Sequence, residues 1–191
     1  MAQNPTHQNR RRPLKKLAIT IVAFGLVSAC AEIDIDQPPI MVTPKNVSGA
    51  VGVDVYAGQR ARGNPVPRFR GQDTVAVRTF GSRNGEGYGE IGNASCSLDS
   101  GIFAAQFTTP ANLVVPDYGP SSPALFVQCS DGERTKSETV NAVNMTAQDR
   151  SASAASAGLL GALIIGAVNE ARRNNETDDF GYNPIRIELG D

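Results

Sequence analysis

Cys30 carries the sharpest chemical signature in this chain. It closes the apolar and small run Leu17–Ala29, whose last residues are Leu26, Val27, Ser28 and Ala29. A thiolate is a good nucleophile for alkylation, and small residues beside it leave the neighbouring peptide bond open to a peptidase. Two further thiols, Cys96 and Cys129, stand far downstream. The single histidine, His7, precedes Cys30, so the chain from Cys30 onward holds no imidazole. That removes Ser-His-Asp and Cys-His catalysis as usually built, and His-ligated zinc with it. Tryptophan is absent as well, which weakens any sugar-stacking platform. No catalytic residue, metal ligand or cofactor follows from these residue types.

The remaining polar constellations each allow two readings. Arg60, Arg62, Arg68 and Arg70 lie in the Gly- and Pro-rich stretch AGQRARGNPVPRFRGQ. They could form a basic patch for lipopolysaccharide phosphates or anionic peptidoglycan groups, or a solvated loop whose arginines pair with nearby acids. Glu176, Asp178 and Asp179 could collect calcium, but EF-hand spacing and its closing glutamate are missing, so a solvated turn is expected. Asp34 and Asp36 alternate with isoleucines in an acidic, Pro-rich stretch that reads as linker. The run GSRNGEGYGEIGN has the glycines of a phosphate loop without the G-x-x-x-x-G-K-[ST] pattern. A Ser-Lys hydrolase would have to use Lys45 or Lys136, the only lysines after Cys30.

The element that presents Cys30 is too short to be a spanning helix, which needs about 20 apolar residues. Arg10, Arg11, Arg12, Lys15 and Lys16 precede it, and charged, apolar and small regions in that order read as a secretory signal peptide. Leu26-Val27-Ser28-Ala29-Cys30 resembles the lipobox of bacterial lipoproteins. The resemblance implies cleavage before Cys30 and lipidation of its thiol and new amine. It thus implies a membrane anchor of several acyl chains, each methylene contributing about 0.8 kcal/mol. Ala31 follows, where an aspartate would retain an enterobacterial lipoprotein in the inner membrane; the outer membrane, facing the periplasm, is therefore expected. In that oxidising compartment the pair Cys96 and Cys129 reads as a disulfide.

The chain has 191 residues, 18 of them basic and 19 acidic. Five of the basic residues and none of the acidic ones precede Cys30, which leaves a formal net charge of −6 afterwards. Clustered cations for nucleic acid are therefore not expected. The expected organisation is a signal peptide over 1–29, a lipidated tether over 30–48, a β domain over 49–150, and a Gly/Ala-rich helix with a closing strand over 151–191. Apolar alternation predicts short strands over Val51–Tyr56, Thr74–Phe80, Ala94–Leu98, Phe103–Thr108, Ala111–Val115, Ala124–Cys129, Glu138–Val143 and Ile185–Leu189. Such strands between turn residues suggest a small antiparallel sandwich or sheet, mainly β with one helix. The helix is expected over Ser151–Val168. Ala154, Gly158, Ala162 and Gly166 recur on one face of it, a small-xxx-small spacing that lets another backbone approach. That helix could pack on its own sheet, dip into the membrane or meet a partner helix.

Cys96-Ser97-Leu98 after Gly92 and Ala94, then Thr109-Pro110, Val127-Gln128-Cys129 and Asp131-Gly132 resemble a PEGA-like β domain. Gly158, Tyr182-Asn183-Pro184 and Ile185–Leu189 extend the likeness across Thr74–Asp191 to small envelope lipoproteins. The Pro-Glu-Gly-Ala signature itself is missing, with Gly92-Asn93-Ala94 near its place, and Asn183 is an extra residue. The resemblance implies an interaction module in the envelope, binding another envelope protein or peptidoglycan, and supplies no catalytic residue.

Overall fold

The computed structural model describes residues 1, 32–82, 87–155 and 172–190. Cys30 and the motif Leu26, Val27, Ser28 and Ala29 lie outside the described residues, as do Gly158, Ala162 and Gly166.

The strands follow the period-two burial that their side chains demand. In chain order they are β1 (Ile40–Met41), β2 (Thr43–Pro44), β3 (Gly71–Gly81), β4 (Gly89–Glu90), β5 (Ser95–Asp99), β6 (Phe103–Thr108), β7 (Ala111–Asp117), β8 (Leu125–Ser130), β9 (Thr135–Val140), β10 (Val143–Asn144), β11 (Phe180–Gly181) and β12 (Ile185–Gly190). Phe103, Ala105 and Phe107 of β6 point inward while their neighbours do not. Ile185, Ile187 and Leu189 do the same in β12, and Leu125, Val127 and Cys129 in β8.

Two open five-stranded sheets result. One runs β1-β7-β3-β12, with β4 added to β3; the other runs β2-β6-β5-β8-β9. Most pairings are antiparallel, but β12 lies parallel to β3 and β1 parallel to β7. A single hydrophobic cluster takes side chains from both sheets, including Val77, Leu113 and Ile187 from the first and Leu98, Phe103 and Val127 from the second. Burying each such side chain contributes about 1.5–3 kcal/mol.

The chain links the sheets at both margins. Between β1 and β2 the buried Val42 donates its N–H to the Val114 carbonyl at 3.1 Å as the backbone crosses from one sheet to the other. At the opposite margin β12 runs beside β8 and β9. There Arg134 Nη1 donates to the carbonyls of Ser82 (2.8 Å) and Gly190 (2.5 Å), and Asp131 holds the guanidinium. Cys96 of β5 stands directly opposite Cys129 of β8, and the two sulfurs are bonded. The disulfide therefore ties neighbouring strands at the centre of the second sheet.

Three expectations change. Val51–Tyr56 is no strand: it closes on itself through a single bridge between Val51 and Asp54, turning at Gly52. Val53 and Val55 are buried because this loop lies on the core, so their alternation does not report a sheet. The stretch 30–48, expected as a lipidated tether, is joined to the body at β1, at β2 and at Gln37, whose amide donates to the carbonyls of Thr108 and Pro110. The helix starts earlier than Ser151: α2 spans Met145–Ala155, after the short α1 (Ala57–Ala61). Asn144 sets the start of α2, its side-chain oxygen accepting the Ala147 N–H at 2.7 Å as an N-cap. Ala154 falls within α2.

Candidate functional site: a charged cleft and the opposite, N-terminal end

The arginine loop is organised by a buried carboxylate. Gly49 and Gly58 cross so closely that a Cβ on Gly58 would stand 2.6 Å from the Gly49 Cα, which folds residues 49–58 back on themselves. Asp54 is thereby buried. It accepts the Arg60 guanidinium at 2.7 Å, the Tyr56 N–H at 3.1 Å and the Tyr118 hydroxyl at 3.2 Å. The Tyr118 oxygen in turn accepts the Val55 N–H at 2.9 Å. Burial first, and the Asp54 charge after it, hold the Tyr118 hydroxyl well above the ordinary tyrosine range.

Next to this loop, β3 begins and β7 ends, and the turn before β11 packs against both. Arg68, Phe69, Arg70, Asp117, Glu176, Thr177, Asp178 and Asp179 line a cleft of about 350 Å³. Arg70 crosses it, donating to the carbonyls of Asp178 (3.1 Å) and Asn175, with Phe180 beneath it at 5.9 Å. Gly119 lies under the Arg70 guanidinium with φ +62°, so a side chain there would meet both the strained backbone and the arginine. Arg68 is exposed on the rim.

Two carboxylates of this end differ sharply. Asp178 is buried and fully engaged: it accepts Asn144 Nδ2 (2.7 Å), the Asn174 N–H (3.0 Å) and Arg150 Nη2 (3.0 Å). The Asn144 hydrogen bond, then that of Asn174 and the nearby arginine, hold its pKa below the usual carboxylate range. Asp73, on β3, has the opposite setting. Its Oδ2 is buried without a hydrogen-bond partner. Burial, then the negative charges of Asp117 and Asp179, raise its pKa to about 6. Chemically this end offers cations of differing availability, a carboxyl that takes up a proton near neutrality, and a shallow charged cleft.

The other end of β3 holds the N-terminal segment. The Ile33 N–H donates to Glu90 at 2.7 Å, and Arg78 donates to the Ile33 carbonyl at 2.9 Å and to Glu90 at 2.7 Å. Beside this clamp Arg186 stacks on Phe80, 3.4 Å from the ring centroid, and bonds the Tyr88 hydroxyl at 2.9 Å. Tyr88 donates to Glu188. Arg70 and Arg78 are eight residues apart on one extended run, so roughly 26 Å separates the cleft from the clamp.

The four arginines singled out in the sequence thus divide. Arg60 and Arg70 hold structure together; Arg62 and Arg68 are exposed, and the four do not form one basic patch. The NETDD turn is not simply solvated, because Asp178 is its buried anchor. Lys45 is engaged with Asp99 at 2.6 Å. Among the described residues no group of three or more His, Cys, Asp or Glu is placed to hold a metal, and no helix is long and apolar enough to cross a membrane. Sequence reading missed Asp73, Asp117 and Tyr118, which sit at strand ends and become neighbours only through tertiary packing. The chain matches no protein-family model, no curated protein and no solved structure.

Proposed function

We propose that this chain is a non-catalytic envelope lipoprotein, anchored through Cys30 to the outer membrane, whose cleft end binds another envelope protein. The observation that carries this reading is Leu26-Val27-Ser28-Ala29-Cys30 followed, two residues later, by a segment fastened to the folded body. A lipid-anchored protein with its attachment at one end of β3 leaves the other end free to meet a partner. That end carries exposed Arg68 beside exposed Glu176, a mixed-sign surface suited to a protein partner with complementary charge. The PEGA-like resemblance favours the same kind of interaction module, with the two sheets packed face to face as a sandwich.

Peptidoglycan is the second reading, favoured by the exposure of Arg62 and Arg68. A photo-crosslinking residue placed at 62 or 68 in living cells separates the two. A single stoichiometric envelope protein recovered from both positions is the expected result. Recovery of peptidoglycan fragments alone would overturn the protein-partner reading in favour of wall binding, and no reproducible product would contradict both.

A further inference from the structure

The clamp on Ile33 has a geometric consequence for the rest of the molecule. Only Ala31 separates Cys30 from Glu32, so the Cys30 Cα lies within about 8 Å of the Glu32 Cα whatever the conformation between them. Glu32 and Ile33 are themselves fixed to the body, by the Arg78–Glu32 ion pair at 3.7 Å and by the two backbone hydrogen bonds of Ile33. A lipid on Cys30 would therefore keep the Ile33 clamp close to the bilayer.

The surface beside that point has the composition of one that meets headgroups. Tyr88 is 49 % exposed, its ring beside the Arg186 guanidinium, and Ile33 is 39 % exposed. Arg186 rests on the buried Phe80 ring and leaves half of its side chain in solvent, a cation seated on an apolar base. Tyrosine and arginine of this amphipathic kind favour the layer between water and hydrocarbon. Of the carboxylates here, Glu90 and Glu188 are bonded to arginine, and the exposed Glu32 shares Arg78 at 3.7 Å.

We propose that the surface presented by Ile33, Tyr88, Arg186 and Glu188, over the buried Phe80 and Glu90, meets phospholipid headgroups, while the charged cleft stays off them at the far end of β3. The inference rests on the lipid-anchor reading and adds to it a fixed orientation. It also separates the cleft from the phosphates of the anchoring leaflet, which turns the choice of partner toward molecules that stand off the membrane.

The test uses the full chain extracted from membranes and reconstituted into vesicles of phosphatidylethanolamine and phosphatidylglycerol. A bimane label is placed on Tyr88→Cys, on Glu188→Cys and on Arg62→Cys, and quenched by lipids bearing a nitroxide on the headgroup. Quenching at positions 88 and 188 is expected to exceed that at 62 several-fold, and Arg78→Ala to reduce the contrast. Two labelled positions guard against a local effect of losing Tyr88. Flotation of the same samples separates the two claims. If the protein floats with the vesicles and all three labels quench alike, or position 62 quenches most, the orientation is overturned while the anchor stands. If it does not float, the anchor reading fails and the orientation with it.

Discussion

Arg78 and Ile33, forty-five residues apart in sequence, are joined by a 2.9 Å hydrogen bond from the guanidinium to the Ile33 carbonyl. Glu90 completes the ring by accepting both the Ile33 N–H and the same arginine nitrogen. The Glu90 side chain is nearly inaccessible, at 3 %. Arg78→Ala removes its cation and leaves a carboxylate in low dielectric, a change expected to cost about 3 kcal/mol. Urea unfolding checks the magnitude. Hydrogen exchange checks the location, with the Ile33 amide expected to lose protection before the core strands do.

Asp73 sets a pH dependence whose sign is opposite to that of most paired carboxylates. Its folded pKa is about 6 against an ordinary 3.8, so the folded protein binds the proton more tightly than the unfolded chain does. Stability from this group is present below about pH 4 and is lost as pH rises to about 6. Asp73→Asn is expected to stabilise the protein at pH 7.5 by about 1 to 2 kcal/mol, discounted for partial exposure, and to flatten the profile between pH 4 and 6. Equilibrium unfolding across that range reads both effects; an unchanged profile would place the proton elsewhere.

Tyr118→Phe keeps the ring contacts with Tyr56 and Phe69 and deletes the hydroxyl. The buried Val55 N–H then loses its acceptor and Asp54 loses a donor. A loss of about 1–3 kcal/mol is expected, measured by chemical denaturation, with the Arg60 loop becoming more open to proteolysis.

The disulfide closes a loop over a sequence separation of 33. Replacing Cys96 and Cys129 together by alanine is expected to lower stability by about 4 kcal/mol in the chain-entropy model. Unfolding with and without reductant should show the same difference in the unaltered protein and none in the double variant.

Arginine replacements should divide by role. Arg60→Ala strands the buried Asp54 and is expected to cost about 2 kcal/mol. Arg62→Ala with Arg68→Ala, both exposed, is expected to leave the urea midpoint unchanged and to reduce crosslinking from a photo-reactive residue at position 176 on the same cleft. Equal destabilisation by both sets would remove the distinction between structural and binding arginines.

Local pattern made much of this fold legible. The alternation in FAAQFT predicts a strand over Phe103–Thr108, and β6 has those bounds. IRIEL predicts β12 to within one residue. What pattern could not supply is partner choice: nothing local to IRIEL says that it runs parallel to β3. VGVDVY misleads because Val53 and Val55 alternate inward from a folded-back loop that owes its shape to the Gly49–Gly58 crossing. The arginine loop was visible as charge, but its division was not, since Asp54 and the carbonyls beneath Arg70 become its partners only in the fold. Asp178 reads as solvated because its sequence neighbours are polar; Asn144 and Arg150, some thirty residues away, make it a buried anchor.

The proposals on function and orientation depend on what is attached to Cys30. The most direct measurement is the intact mass and N-terminal peptide of the protein extracted from membranes. The expected result is a chain that begins at Cys30 and carries a diacylglyceryl group on its sulfur and an acyl group on its amine. A chain that retains residues 1–29, or one cut elsewhere with Cys30 unmodified, would contradict the account.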